Sequence, residues 1–176
     1  ICYGVDGTTY KLYHKDEFVT EVRLIVPGRH NVLNSVGAFV AAREMGIADE
    51  TILKALEQFG GAKRRFETKG KVNGVWVVDD YAHHPTEIEV TLKAARQTQP
   101  KRLLCLFQPH RYTRTQLLFK EFCNCFNDCD EVILTDIYAA SENPIPGITS
   151  EALAEGISKA TGKAVTYIAK LPKAEE

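Results

Sequence analysis

Four short stretches of this 176-residue chain hold side chains whose types and spacing could do chemistry. The densest is Gln108-Pro109-His110-Arg111-Tyr112-Thr113-Arg114-Thr115. Arg111 and Arg114 stand three apart near the start of an expected helix, where the backbone dipole is already positive. Two cations there oppose the dipole unless an anion arrives, so the pair reads as a phosphate or carboxylate site held by guanidinium forks. A solvated charged loop is the plainer alternative. The second stretch, Asp79-Asp80-Tyr81-Ala82-His83-His84-Pro85-Thr86, runs from a strand into a helix. Its adjacent acids could hold ribose hydroxyls or a metal, and a histidine at a helix entrance could meet an anion; equally, the acids could cap a turn and the histidines face water. The third is His30-Asn31-x-x-Asn34. Asn31 and Asn34 share a helix face and their amides both donate and accept, as an adenine edge requires, although N-capping by Asn31 explains it as well. The fourth, Tyr138–Gly147, is a loop stiffened by Pro144, Pro146 and Gly147 and suits the wall of a cleft.

The elements that must position these loops follow from periodicity. Thr9–Tyr13 and Phe18–Val26 alternate as strands. Asn31–Met45 reads as a helix with Val32, Val36, Phe39 and Val40 in a stripe, and Asp49 as the N-cap of a second helix whose apolar face is Ile52, Leu53, Leu56 and Phe59. Residues 66–72 and 75–80 form a hairpin around Asn73-Gly74. A helix at 86–98, a strand at 102–107, a helix at 115–128, a strand at 131–136, a helix at 150–160 and a strand at 164–168 come next. Such alternation predicts an α/β fold with a mostly parallel sheet, whose ligands gather beyond the carboxyl ends of the strands.

Composition narrows the classes. Lys and Arg total 22 against 23 Asp and Glu, for a net charge of −1, which argues against nucleic-acid binding. Hydrophobic residues make up 44% of the chain, as in a soluble globular protein, and no apolar run approaches the roughly 20 residues of a membrane span. Five cysteines without a secretion signal point to a reducing cytoplasm. Cys123, Cys125 and Cys129 lack the paired spacing of common zinc sites, so packing on an apolar face is the favoured reading. No G-x-x-x-x-G-K followed by Ser or Thr occurs, and no G-x-G-x-x-G follows a strand, which disfavours a redox Rossmann enzyme.

Gly28-Arg29-His30-Asn31-Val32-Leu33-Asn34, Lys63-Arg64-Arg65-Phe66-Glu67 and Asp79–Glu87 resemble, in that order, the Mur ligases. Phe107–Arg114 and Tyr138–Gly147 resemble the alanine-adding branch of that family. The resemblance runs from about residue 18 to 168. It implies that residues 1–64 are the C-terminal part of a central ATP-binding domain, whose phosphate loop lies upstream, and that 65–176 are most of a Rossmann-like C-terminal domain cut short at its end. It implies an ATP-dependent ligase that joins L-alanine to the carboxylate of UDP-N-acetylmuramate through an acyl phosphate, with Mg²⁺ ligands expected upstream and none assigned here. Asn31 and Asn34 would meet the adenine, Arg65 the phosphates and Asp80 the ribose. His83, Arg111 and Arg114 would be catalytic and line the amino-acid side, with Tyr81 a further substrate contact and His84 open to a purely structural role. No membrane insertion and no nucleic-acid partner are expected. The alternatives are a murein-tripeptide recycling ligase, which shares the His-His-Pro motif, and an inert module that binds a nucleotide or peptide precursor.

Overall fold

The computed structural model describes residues 1–4 and 7–169. They form two compact units, residues 1–81 with 93–100, and residues 82–92 with those from 101 on.

In the first unit, β1 (Cys2–Gly4), β2 (Gly7–His14) and β3 (Glu17–Leu24) make an antiparallel sheet in that order. The two expected strands are present; β1, only three residues long, carried no alternation to announce it. Lys15 and Asp16 both take positive φ, 48° and 68°, giving the turn twist that suits a tight hairpin. Tyr10, Val22 and Leu24 project from one face of the sheet into a core completed by Val26 and Val32.

Helix α1 (Arg29–Glu44) begins two residues before the expected start, and Gly28 rather than Asn31 occupies the N-cap. At φ 99°, Gly28 takes a conformation that L side chains rarely adopt, and a Cβ there would lie 2.7 Å from the His30 ring. Val40 departs from the expected stripe and is exposed, and the buried polar residue Ser35 takes an inward place. Ser35 reaches the Tyr10 hydroxyl at 2.7 Å and donates to Val32 O, so its burial carries no unmet polar group. In α2 (Asp49–Gln58) the cap is Ala48 and Asp49 is already helical, paired with Arg43 at 3.2 Å; Phe59 lies past the helix end and is exposed. The hairpin of β4 (Glu67–Val72) and β5 (Val75–Asp79) turns on Asn73 and Gly74 at φ 51° and 79°, as the pair of residues predicts.

Helix α3 (Pro85–Gln97) contributes to both units. The second unit is built on β6 (Leu104–Phe107), β7 (Glu131–Thr135) and β8 (Ala164–Ile168), parallel and in that order, which bears out the α/β expectation. Helix α6 (Ser150–Thr161) is capped by Thr149, whose hydroxyl accepts from Ala152 N–H at 3.1 Å. The single helix expected at 115–128 is instead two, α4 (Tyr112–Leu117) and α5 (Phe119–Asn124), broken at Leu118. Asn124 and Asn127 turn their amides back onto Lys120 O and Asn124 O, local bonds that compete with a continuing helix.

Phe107, Phe122, Phe126, Val132, Leu134, Leu153 and Ile157 form the buried core of this unit. Cys123, Cys125 and Cys129 are buried within it, so packing accounts for the cluster. Burial pushes the Cys125 thiol up to about 12, well away from thiolate reactivity. A Cβ on Gly156 would sit 2.5 Å from Cys123 Sγ, a sign of how closely α6 approaches α5. The carboxyl ends of β6 and β7 open into the loops at 108–111 and 136–149. No helix among the described residues is long and apolar enough to cross a membrane.

Candidate functional site

Beyond β6 and β7 the two loops are stitched backbone to backbone. Arg111 N–H donates to Tyr138 O and Tyr138 N–H to Pro109 O, both at 2.8 Å. This lattice holds Arg111 at φ 73°, ψ 135° as the N-cap of α4, a strained conformation for a residue with a Cβ. His110 lies over Tyr138 with ring centroids 5.3 Å apart, and His83 faces His110 at 6.3 Å. Arg114 Nη1 donates to His110 Nδ1 at 3.3 Å and to His110 O at 3.4 Å. The structure therefore brings His83, Arg111 and Arg114 together and adds His110 and Tyr138 to them.

Two arginines at a helix start call for an anion. One comes from the chain itself: Glu142 accepts from Thr113 N–H at 3.0 Å and from Thr113 Oγ1 at 2.7 Å, and its Oε1 lies 3.7 Å from Arg111 Nη1. Those two Thr113 donors, followed by Arg111, hold the Glu142 carboxyl below the usual carboxylate range. His110 is pushed down by burial first and then by Arg114, Arg111 and His83, so it stays neutral near pH 7. Arg111 thus already carries a carboxylate, whereas the hydrogen-bond partners of Arg114 are uncharged. Glu142 carries no site signal in the sequence, because it lies 29 residues from Thr113 with no periodic relation to it.

At the start of α3, the Glu87 carboxylate accepts from His83 N–H at 3.0 Å and from His84 N–H at 3.2 Å, and lies 3.5 Å from His83 Nδ1. Thr86 N–H donates to His84 Nδ1 at 3.3 Å, which gives His84 a place in the helix cap. The helix expected at 86–98 starts one residue earlier, at Pro85, whose missing N–H is harmless at a first helical position.

The remaining candidates lie in the first unit. Asn31 is half-buried and donates through Nδ2 to Pro27 O at 2.7 Å, which leaves its amide oxygen and one N–H for a ligand. Asn34 is exposed one turn further along α1. The Asp80 carboxylate accepts from Phe66 N–H at 2.8 Å, across a crossing where Arg64 and Phe66 both take positive φ, 55° and 51°. Arg65 lies between them and is exposed. Tyr81 donates its N–H to Arg64 O at 2.8 Å and carries the Arg64 guanidinium 4.5 Å above its ring. His30, which sequence reading left without a role, has a buried Nδ1 with no hydrogen-bond partner among the described residues. Burial lowers its pKa, the Asp80 carboxylate opposes this and Arg65 reinforces it, so the three side chains share one electrostatic neighbourhood.

Pro144, Ile145, Pro146 and Gly147, with Tyr112 and Asp136, line an open depression of about 650 Å³ in the second unit, the wall expected of that stiffened loop. Among the described residues, no three His, Cys, Asp or Glu side chains gather as metal ligands.

Residues 64–176 match the family described as "Mur ligase, glutamate ligase domain". The chain is 52% identical over 161 residues to the UDP-N-acetylmuramate–L-alanine ligase of Syntrophus aciditrophicus (strain SB), covering 92% of this chain and 34% of that protein. It is 54% identical over 148 residues to the same-named ligase of Solidesulfovibrio magneticus, covering 84% and 32%. The chain spans about a third of the length of these relatives. Among solved structures it resembles the UDP-N-acetylmuramate-alanine ligase MurC of Thermotoga maritima, with TM-score 0.82 and 28% identity over 98% of this chain and 36% of that one. A murein peptide ligase of Psychrobacter arcticus matches at TM-score 0.55 and 27% identity, over 94% and 34%. By the family match over residues 64–176 and the identity to these relatives, the chain belongs to the Mur ligase family.

Proposed function

We propose that this chain is part of a cytoplasmic enzyme that uses ATP to join L-alanine to the carboxylate of UDP-N-acetylmuramate, a step of peptidoglycan precursor synthesis. The observation that carries the reading is the 52% identity to a ligase of that name over 92% of the chain. Residues 1–64 are assigned to the ATP-binding part and 65–176 to the C-terminal part.

The reaction has two steps. A muramate carboxylate oxygen attacks the γ-phosphorus of ATP and ADP leaves; the α-amine of alanine then attacks the acyl carbon, phosphate leaves and the amine loses its proton. Little covalent work falls to the protein, so positioning and charge neutralisation dominate. Asn31 and Asn34 are assigned to the adenine, the free amide oxygen of Asn31 suiting an exocyclic amine donor. Asp80 is assigned to the ribose and Arg65 to the phosphates, a reading their shared neighbourhood at His30 supports. Arg111 and Arg114 receive the alanine carboxylate or the charge of the acyl phosphate, with His83 and Tyr81 beside the amino acid. Mg²⁺ would neutralise the ATP phosphates; the described residues offer no ligand cluster for it, and no step here is routed through it.

The test is phosphate release from ATP by a full-length ligase carrying this segment, with UDP-N-acetylmuramate, with and without L-alanine. Release that needs both supports the reading. Release that ignores alanine and responds to a muramyl tripeptide would overturn it in favour of a recycling ligase, and no release would leave a binding module.

A further inference from the structure

We propose that Glu142 is a positioning residue that fixes the net charge of the arginine pair at plus one, holding Arg111 as a compensated partner and leaving Arg114 to anchor a singly charged carboxylate. The inference rests on the anion role assigned above to Arg111 and Arg114.

Three observations lead to it. The Glu142 side chain is only 20% exposed, and its two oxygens serve Thr113 N–H, Thr113 Oγ1 and Arg111 Nη1 together. It is delivered by a turn in which Glu142 N–H donates to Ala139 O at 3.0 Å and two successive non-glycine residues, Ala140 and Ser141, take φ 49° and 71°. Such a conformation persists where the surroundings over-determine it. The same loop bonds the Arg111 backbone through Tyr138 O, so the carboxylate and the guanidinium keep their register. The pair is also unequal, because the hydrogen bonds of Arg114 go to the neutral His110.

An arriving anion therefore meets two cations and one fixed carboxylate. The carboxylate repels it from the Arg111 side, more strongly if it is a phosphate dianion than if it is an amino-acid carboxylate. On this view Glu142 sets selectivity: it admits the carboxylate of the amino acid and disfavours inorganic phosphate, a product of the same reaction.

The experiment compares wild type, Glu142→Gln and Glu142→Ala in the full-length ligase, reading kcat, KM for L-alanine, inhibition by inorganic phosphate and melting temperature. Glutamine keeps one acceptor oxygen for Thr113 N–H and loses the charge together with the second acceptor. Glu142→Gln is expected to melt close to wild type, to be inhibited by phosphate at a concentration lower by roughly three- to fivefold, and to lose about tenfold in kcat as Arg111 loosens. Unchanged phosphate inhibition in Glu142→Gln would overturn the inference, as would equal loss of melting temperature and activity in both variants, the mark of a helix cap alone. A wild type without alanine-dependent turnover would count against the ligase reading instead. Calorimetric binding of inorganic phosphate still decides the inference in that case, tighter binding to Glu142→Gln supporting it and equal binding overturning it.

Discussion

In the first unit, Asn31 bonds Pro27 O and Asp80 bonds Phe66 N–H, so two of the candidate side chains are tied to main chain. In the second, Arg114 bonds His110, Glu142 bonds Thr113 and faces Arg111, and His83 faces His110, so candidate side chains from three loops meet one another. The difference is between a surface whose shape is set by backbone and a cluster whose charge is set by partners. The first arrangement suits recognition of a neutral edge or hydroxyl, where position decides. The second suits charge that develops during a reaction, where pre-oriented dipoles and cations contribute most.

Variants can break this contrast. The largest effect is expected from Arg114→Ala, a loss of about a hundredfold or more in alanine-dependent turnover, with Arg111→Ala costing less because Glu142 already compensates it; steady-state kinetics would show the order. Asp80→Ala removes the acceptor of a part-buried amide, and a loss of about 1–3 kcal/mol is expected by denaturant unfolding. Gly28→Ala places a Cβ against the His30 ring at an unfavourable φ and is expected to destabilise by about 1–2 kcal/mol without altering the alanine KM.

The smallest effect is on pH dependence. His110 and His30 are both lowered from 6.5, so the unfolded chain binds protons that the folded one refuses. Stability should therefore decline as pH falls below about 6.5. Replacing either histidine with glutamine should flatten that slope in melting curves taken between pH 7 and 5.

Much of this was legible in the residues. Asn73-Gly74 marked a hairpin because a turn with two positive φ values matches strand twist. The parallel sheet followed from strand and helix alternation. Legibility failed where a distant partner decided the outcome. The helix expected to start at 115 starts at Tyr112, with a carboxylate from the 138–147 loop at Thr113, and it breaks at Leu118 although its apolar spacing continues. Val40 had the right spacing for the core, but Ser35 is buried there because the Tyr10 hydroxyl is opposite it. Arg111 and Arg114 looked equivalent in sequence; only the fold shows that one already has a counter-charge.

The most direct test of this division of labour is a pair of Michaelis constants in a full-length ligase carrying this segment. Asn34 is exposed on α1 and its side chain makes no hydrogen bond among the described residues, so Asn34→Ala probes the nucleotide side at little structural cost. The account predicts that Asn34→Ala raises the KM for ATP severalfold and leaves that for L-alanine unchanged, and that Arg114→Ala shifts the alanine constant and turnover while sparing ATP binding. Both constants moving together in either variant, or Asn34→Ala moving neither, would contradict it.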